Sequence, residues 1–374
     1  MLTYFATISS FALVLSLNLN PTNTVPSCVT QNNEPGTCVP YYQCNDNGTL
    51  NTDGVGVIDI RFGGETCPSY LDTCCRPSQT RGSDDPITPK PSINHNGCGW
   101  RNPNGLGFKT KGTSGDMAMY GEFPWMIAVL KLTPIDGKAD ETYKLYMAGG
   151  SLIHPSVVLT AAHSVMVEHH YLVRAGEWDT QTEKELYPYQ ERDVADVLLH
   201  DKFNQRNLHY DIALMFLESA VNMAPNVGIV CLPPPNEKPL PGARCLASGW
   251  GKDLFGKQGK YQVILKKVEV PVVDSEVCQK NLRTTRLGLY FKLSKTFMCA
   301  GGGEEDTCKG DGGSPLVCPI QHEADRYVQS GIVSWGISCR EYGIPGVYVN
   351  VAILRPWIDK NVASRGFDTK VYSL

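Results

Sequence analysis

Six of the fourteen cysteines in this chain of 374 residues fall between residues 28 and 75, and no other feature constrains its folding as strongly. They are Cys28, Cys38, Cys44, Cys67, Cys74 and Cys75. A unit that short exposes too much surface for its volume to be held by core burial alone, so covalent staples must supply much of its stability. An even cysteine count, dense in one stretch, points to disulfides and to an oxidising compartment. Metal ligation fits poorly, because the spacings are irregular and no Cys-x-x-Cys pair recurs with a matching second pair. The alternating run Val55 to Phe62 predicts a strand inside this unit.

The segments on either side read differently. Residues 1–19 contain an apolar run from Phe5 to Leu17, too short to span a bilayer and placed as a secretory signal would be, although no Lys or Arg precedes it. No later segment is apolar over a membrane-spanning length, so the expected product is a secreted, extracellular protein. Residues 76–97 are rich in Pro, Ser, Thr, Asp and Gly, with Pro77, Pro86, Pro89 and Pro91, and predict a semi-extended linker. Arg81 before Gly82 is a natural cut for a trypsin-like protease, or equally a solubilising charge. Asn47-Gly48-Thr49 is a candidate glycan acceptor. A net charge of −4 and a pI near 6.1 argue against nucleic acid as a partner, which leaves a basic footprint on its binders.

From Cys98 to Leu374, short β-branched and aromatic runs alternate with Gly, Pro, Asn and Asp, an all-β pattern with one good helical candidate near Val351 to Asn361. Within it, Gly121-Glu122-Phe123-Pro124-Trp125, Gly149-Gly150-Ser151, Thr160-Ala161-Ala162-His163, Asp211-Ile212-Ala213-Leu214, Gly310-Asp311-Gly312-Gly313 and Ser334-Trp335-Gly336 follow one another in order. Over residues 112–362 this resembles the chymotrypsin-like serine proteases, which implies two β-barrels. The ending Cys-x6-Cys-Cys, with Val39-Pro40-Tyr41 before Cys44, resembles the clip domain of arthropod proteases. The combination looks like the clip-domain serine protease homologues of arthropod haemolymph.

The resemblance implies roles for particular residues. His163 would be the histidine that takes the serine's proton and Asp211 the carboxylate that orients it. The nucleophile position holds Gly312, which has no hydroxyl, and losing a triad nucleophile costs on the order of 10⁶ in turnover. Ser314 is two residues further on, up to about 7 Å of chain away, so a residual hydrolase built on it would need the loop rebuilt. A disulfide that usually staples the histidine loop would join positions 148 and 164, which here are Ala148 and Ser164; without it a loop of that size loses about 3 kcal/mol of constraint. Cleavage after Lys111 would free a glycine where active members free an isoleucine to pair with the aspartate at position 311. Asp306, Gly336 and Gly346 would form a pocket for Arg or Lys, or Asp306 is an inherited surface acid. Glu177 and Glu185 lie in a loop that carries calcium in some relatives, but Lys184 stands beside them, and the sequence implies neither a cofactor nor a metal.

The disulfides implied are Cys28–Cys74, Cys38–Cys67, Cys44–Cys75, Cys98–Cys231, Cys245–Cys318, Cys278–Cys299 and Cys308–Cys339. The function implied is that of a non-catalytic cofactor in prophenoloxidase activation for melanisation. It would assemble prophenoloxidase with its activating clip-domain protease after an upstream protease cuts it, and form a homo-oligomer once cut. An adhesive protein that binds microbial surfaces through the clip domain is the rival from another class.

Overall fold

The computed structural model describes residues 27–30, 33–40, 43–44, 56–59, 67–76, 97–111, 115–135, 138–252, 261–303, 312–337 and 343–374. Outside them lie the apolar segment 1–19, Asn47, Arg81 with residues 77–96, Asp306, Gly310, Asp311 and the Cys308–Cys339 pair.

The cysteine-rich unit is built on strands β1 (Ser27–Val29), β2 (Pro35–Pro40), β3 (Gly56–Asp59) and β4 (Asp72–Cys75). β1, β2 and β4 form one antiparallel sheet, and the bridges Cys28–Cys74, Cys38–Cys67 and Cys44–Cys75 close it. β3 leaves that sheet and pairs in parallel with β5 (Phe108–Lys111), so that Asp59 stands opposite Lys111. The described part of the alternating run, Gly56–Asp59, thus forms a strand whose partner lies beyond the linker.

Two barrels follow. Strands β6 (Met126–Ile135), β7 (Lys138–His154), β8 (Val157–Thr160), β9 (Tyr171–Ala175), β10 (Gln190–Leu199) and β11 (Ala213–Leu217) close in the order β10-β11-β8-β7-β6-β9. Strands β12 (Arg244–Gly249), β13 (Lys266–Val273), β14 (Phe297–Ala300), β15 (Pro315–Pro319), β16 (Tyr327–Trp335) and β17 (Gly346–Asn350) close in the order β12-β13-β14-β17-β16-β15. Closure removes the exposed strand edges of each sheet.

Alternation along the strands sorts the core into layers, because successive side chains point to opposite faces. In β6, Ile127 and Val129 join a cluster confined to the first barrel, with Val158, Val173 and Met215. Their neighbours Met126, Ala128 and Leu130 join a cluster that runs on into the second barrel through Leu246, Val317 and Val349. A third cluster, around Ala247, Val270 and Leu316, belongs to the second barrel. Both faces of these strands are therefore apolar, which is why the sequence shows short continuous runs there.

Among the described residues three α-helices complete the fold, the single turn α1 (Ala162–Val165), α2 (Ser275–Arg283) and α3 (Val351–Ser364), followed by a 3-10 turn at Thr369–Tyr372. α2 lacks an apolar stripe in the sequence, with only Cys278 and Leu282 buried; it is held by the Cys278–Cys299 bridge and by Asp274, which accepts from the N–H groups of Glu276 and Val277. Pro356 lies inside α3, where a missing N–H normally breaks the ladder. The carbonyl it leaves unbonded, that of Ala352, accepts instead from the Asn236 N–H at 2.9 Å. Among the described residues no helix is long and apolar enough to cross a membrane.

Candidate functional site

His163 stands on α1, directly after the fully buried strand β8. Asp211 precedes β11 and is completely buried, in a turn where Leu208 and Tyr210 both take positive φ. Its carboxylate accepts three hydrogen bonds, from the His163 backbone N–H at 2.8 Å, from His163 Nδ1 at 2.7 Å and from the Ser334 hydroxyl at 2.6 Å. Ser334 comes from β16, so the second barrel helps to hold a carboxylate of the first. With Asp211 as acceptor, the neutral imidazole carries its proton on Nδ1 and presents Nε2 as a base. The arrangement is one in which a carboxylate orients a histidine to act as a base.

Gly312 faces that base. A Cβ on it would lie 2.5 Å from His163 Nε2, 2.8 Å from Ser164 Oγ and 2.9 Å from His163 Cε1. The cleft has closed into the space a side chain at 312 would need, so the position holds a glycine sterically as well as chemically. Gly313 is required by the backbone: its φ is +94°, and a Cβ would meet Thr160 Oγ1 at 2.1 Å. Ser314 is turned away. It is fully buried, its hydroxyl has no hydrogen-bond partner, and it occupies the room that a Cβ on Gly149 would take, with Oγ only 1.9 Å from that point. The geometry assigns Ser314 no share in the chemistry of His163.

Positions 148 and 164, which the resemblance implies as the ends of a bridge in relatives, hold side chains in different surroundings. Ala148 is buried in the first-barrel cluster. Ser164 is partly exposed and its Oγ lies 3.2 Å from His163 Nε2. Neither the Ser164 nor the Ser334 hydrogen bond is readable from residue spacing. Of the residues the resemblance implies for an Arg or Lys pocket, Gly336 is exposed in open space and Gly346 begins β17 opposite Ala300.

A second cluster of ionisable groups lies where the cysteine-rich unit meets the first barrel. Glu177, Asp179 and Glu185 are all buried. The Tyr70 hydroxyl donates to the Asp179 carboxylate, Leu71 is wholly buried in the cluster shared by the two barrels, and Asp72 pairs with Lys184 at 2.6 Å. Burial pushes the Glu177 carboxyl up to about 7 although Arg174 opposes the shift. Burial pushes Glu185 up to about 8, with the Glu177 charge adding to it. Glu177 spends one oxygen on Arg174 at 2.6 Å and the other on the Trp178 N–H at 3.0 Å, so it offers a calcium ion no free carboxylate edge. Among the described residues the cluster best placed to hold a metal is Cys28, Cys38 and Cys67, and all three are committed to disulfides.

Comparison with known proteins agrees with this geometry. Residues 113–358 match the trypsin family, and residues 25–76 match the family described as serine protease Clip domain PPAF-2. A phenoloxidase-activating factor 2 from Galleria mellonella is 61% identical over 299 residues, covering 78% of this chain and 99% of that one. Two proteins from Anopheles gambiae named inactive CLIP domain-containing serine proteases, A8 and A28, are 38% identical over 333 residues and 36% identical over 360. These alignments cover 87% and 90% of this chain and 88% and 92% of the relatives. With both barrels, the His163–Asp211 pair and the disulfide-closed amino-terminal sheet in place, the chain belongs to the clip-domain branch of the trypsin family.

Proposed function

We propose that this chain is a secreted, non-proteolytic cofactor of prophenoloxidase activation. The observation that carries the reading is Gly312 opposite His163 Nε2, a base with no nucleophile where the reaction requires one. The likeness to a phenoloxidase-activating factor and to proteases named inactive supports the same direction. In this reading the protein binds. It brings prophenoloxidase and its activating clip-domain protease together after an upstream trypsin-like protease has cut it, and it forms a homo-oligomer when cut.

Two sites compete for that cut, and the disulfides make their products different. Cleavage after Arg81 leaves the amino-terminal unit attached only by non-covalent contacts, because its three bridges are all internal. Cleavage after Lys111 leaves it tethered through Cys98–Cys231. Lys111 ends a strand hydrogen-bonded to β3, and a protease must open that ladder to reach it. Arg81 is thus the better first target.

The test is phenoloxidase activity from purified prophenoloxidase and its activating protease, with and without this protein, with its cleavage followed on reducing and non-reducing gels. Activity that rises only with the cut form, and no amidase activity from the protein alone, is the expected result. Lowered activity would make the protein a competing decoy, and no effect would discard the cofactor role.

A further inference from the structure

We infer that Ser164 is an activated serine, served by His163 and Asp211, that reacts with small organophosphorus and activated-ester electrophiles. A serine within a helical turn ordinarily returns its hydroxyl to a carbonyl three or four residues back. The Ser164 hydroxyl instead reaches the ring nitrogen of the preceding residue, at 3.2 Å. Since Asp211 accepts from Nδ1, Nε2 is the acceptor in the neutral ring and the serine O–H donates to it. Asp211, held by Ser334, stabilises the imidazolium that forms if that proton moves. The oxygen lies within the range at which a general base works. His163 and Ser164 are both partly exposed, so a small reagent can approach them. With glycine at 312, the Ser164 hydroxyl is the one placed on this base among the described residues.

The chemistry balances as follows. With a fluorophosphonate, Ser164 Oγ forms a bond to phosphorus, its proton passes to His163 Nε2, and fluoride leaves. With an aryl ester, Oγ bonds to the acyl carbon and the phenol departs with the proton from Nε2; water then cleaves the acyl-serine by the reverse proton path. In this fold the amides that hold an oxyanion belong to the loop around position 312. Substrates with good leaving groups, which need least help from such donors, are therefore the class expected, and peptide bonds are not.

The test is labelling of the full-length protein with a biotinylated fluorophosphonate, with the modified peptide located by mass spectrometry. Ser164 is the expected site. Labelling should vanish in Ser164→Ala and persist in Ser314→Ala. In His163→Asn it should slow by about 10²-fold or more. Should Ser164→Ala misfold, Ser164→Cys serves instead: a thiol there should react with iodoacetamide faster than in Ser164→Cys combined with His163→Asn. An unlabelled wild type, an adduct on Ser314 or another serine, or equal rates with and without His163 would overturn the assignment.

Discussion

Two groups of buried carboxylates in the first barrel have been kept for opposite reasons. Asp211 is fully hydrogen-bonded: a backbone N–H, an imidazole and a hydroxyl all donate to it. Glu177 and Glu185 are pressed together where the amino-terminal unit docks, with burial pushing both toward their protonated forms. The first arrangement is satisfied entirely by groups of the two barrels. The second adjoins Tyr70 of the amino-terminal unit, whose hydroxyl donates to Asp179. The cleft is thus ordered by hydrogen bonds within the barrels, while the buried carboxylates at the junction of the two units hold their protons more tightly than free carboxyls.

The comparison can be broken most sharply at its apolar anchor and at its best-satisfied carboxylate. Leu71→Ala removes a wholly buried side chain at the docking point and should cost about 3 kcal/mol, read as a lower unfolding midpoint and as earlier loss of the amino-terminal unit after cleavage at Arg81. Asp211→Ala should cost about as much, roughly 3 kcal/mol, by orphaning the three donors it now satisfies, but with the docking of the amino-terminal unit unchanged. If both substitutions loosen the unit equally, the two regions are one cooperative structure and the contrast fails.

Acidity should separate them next. Glu177 and Glu185 have folded-state values above those of free carboxyls, so they favour folding while protonated. Their contribution is full below about 4.5, and it is lost as the pH rises through about 7 for Glu177 and about 8 for Glu185. Retention of the amino-terminal unit by Arg81-cut protein should therefore be greater at acid pH than at pH 8 when followed by gel filtration. The charged and titratable groups that act on the pair are Arg174, Asp179 and Tyr70. Replacing Glu185 with Gln should flatten the profile.

A smaller effect belongs to the cleft. Gly312→Ser should not restore amidase activity by itself and should cost about 1–2 kcal/mol, because its Cβ enters space held by His163 and Ser164. Pairing it with Ser164→Ala relieves one of those contacts and should recover part of the stability. Amidase activity from the single variant at the level of an active relative would show that the cleft opens freely. The least effect should come from Lys184→Ala, which removes a partly exposed ion pair with Asp72 and should change stability by no more than about 1 kcal/mol.

Much of this protein is legible in its residue order, for identifiable reasons. His163, Asp211 and Gly312 each sit in a short motif whose neighbours shape the local backbone, and Gly313 must be glycine because its φ is positive. The β-branched runs became barrel strands because both faces of each strand meet apolar neighbours. α2 was missed because a capping aspartate and a disulfide hold it in place of an apolar stripe.

Chain order therefore set the class of fold, the glycine at position 312 and the cysteines available for bridging. Tertiary packing decided which side chains meet. Tyr70 and Asp179 are 109 residues apart and meet only when the amino-terminal unit docks. The Ser164 hydroxyl lies 3.2 Å from His163 Nε2, beside space that a Cβ at position 312, remote in sequence, would fill. Spacing can specify a backbone path, but a hydroxyl's partner and a carboxylate's affinity for its proton depend on which remote groups exclude water around them.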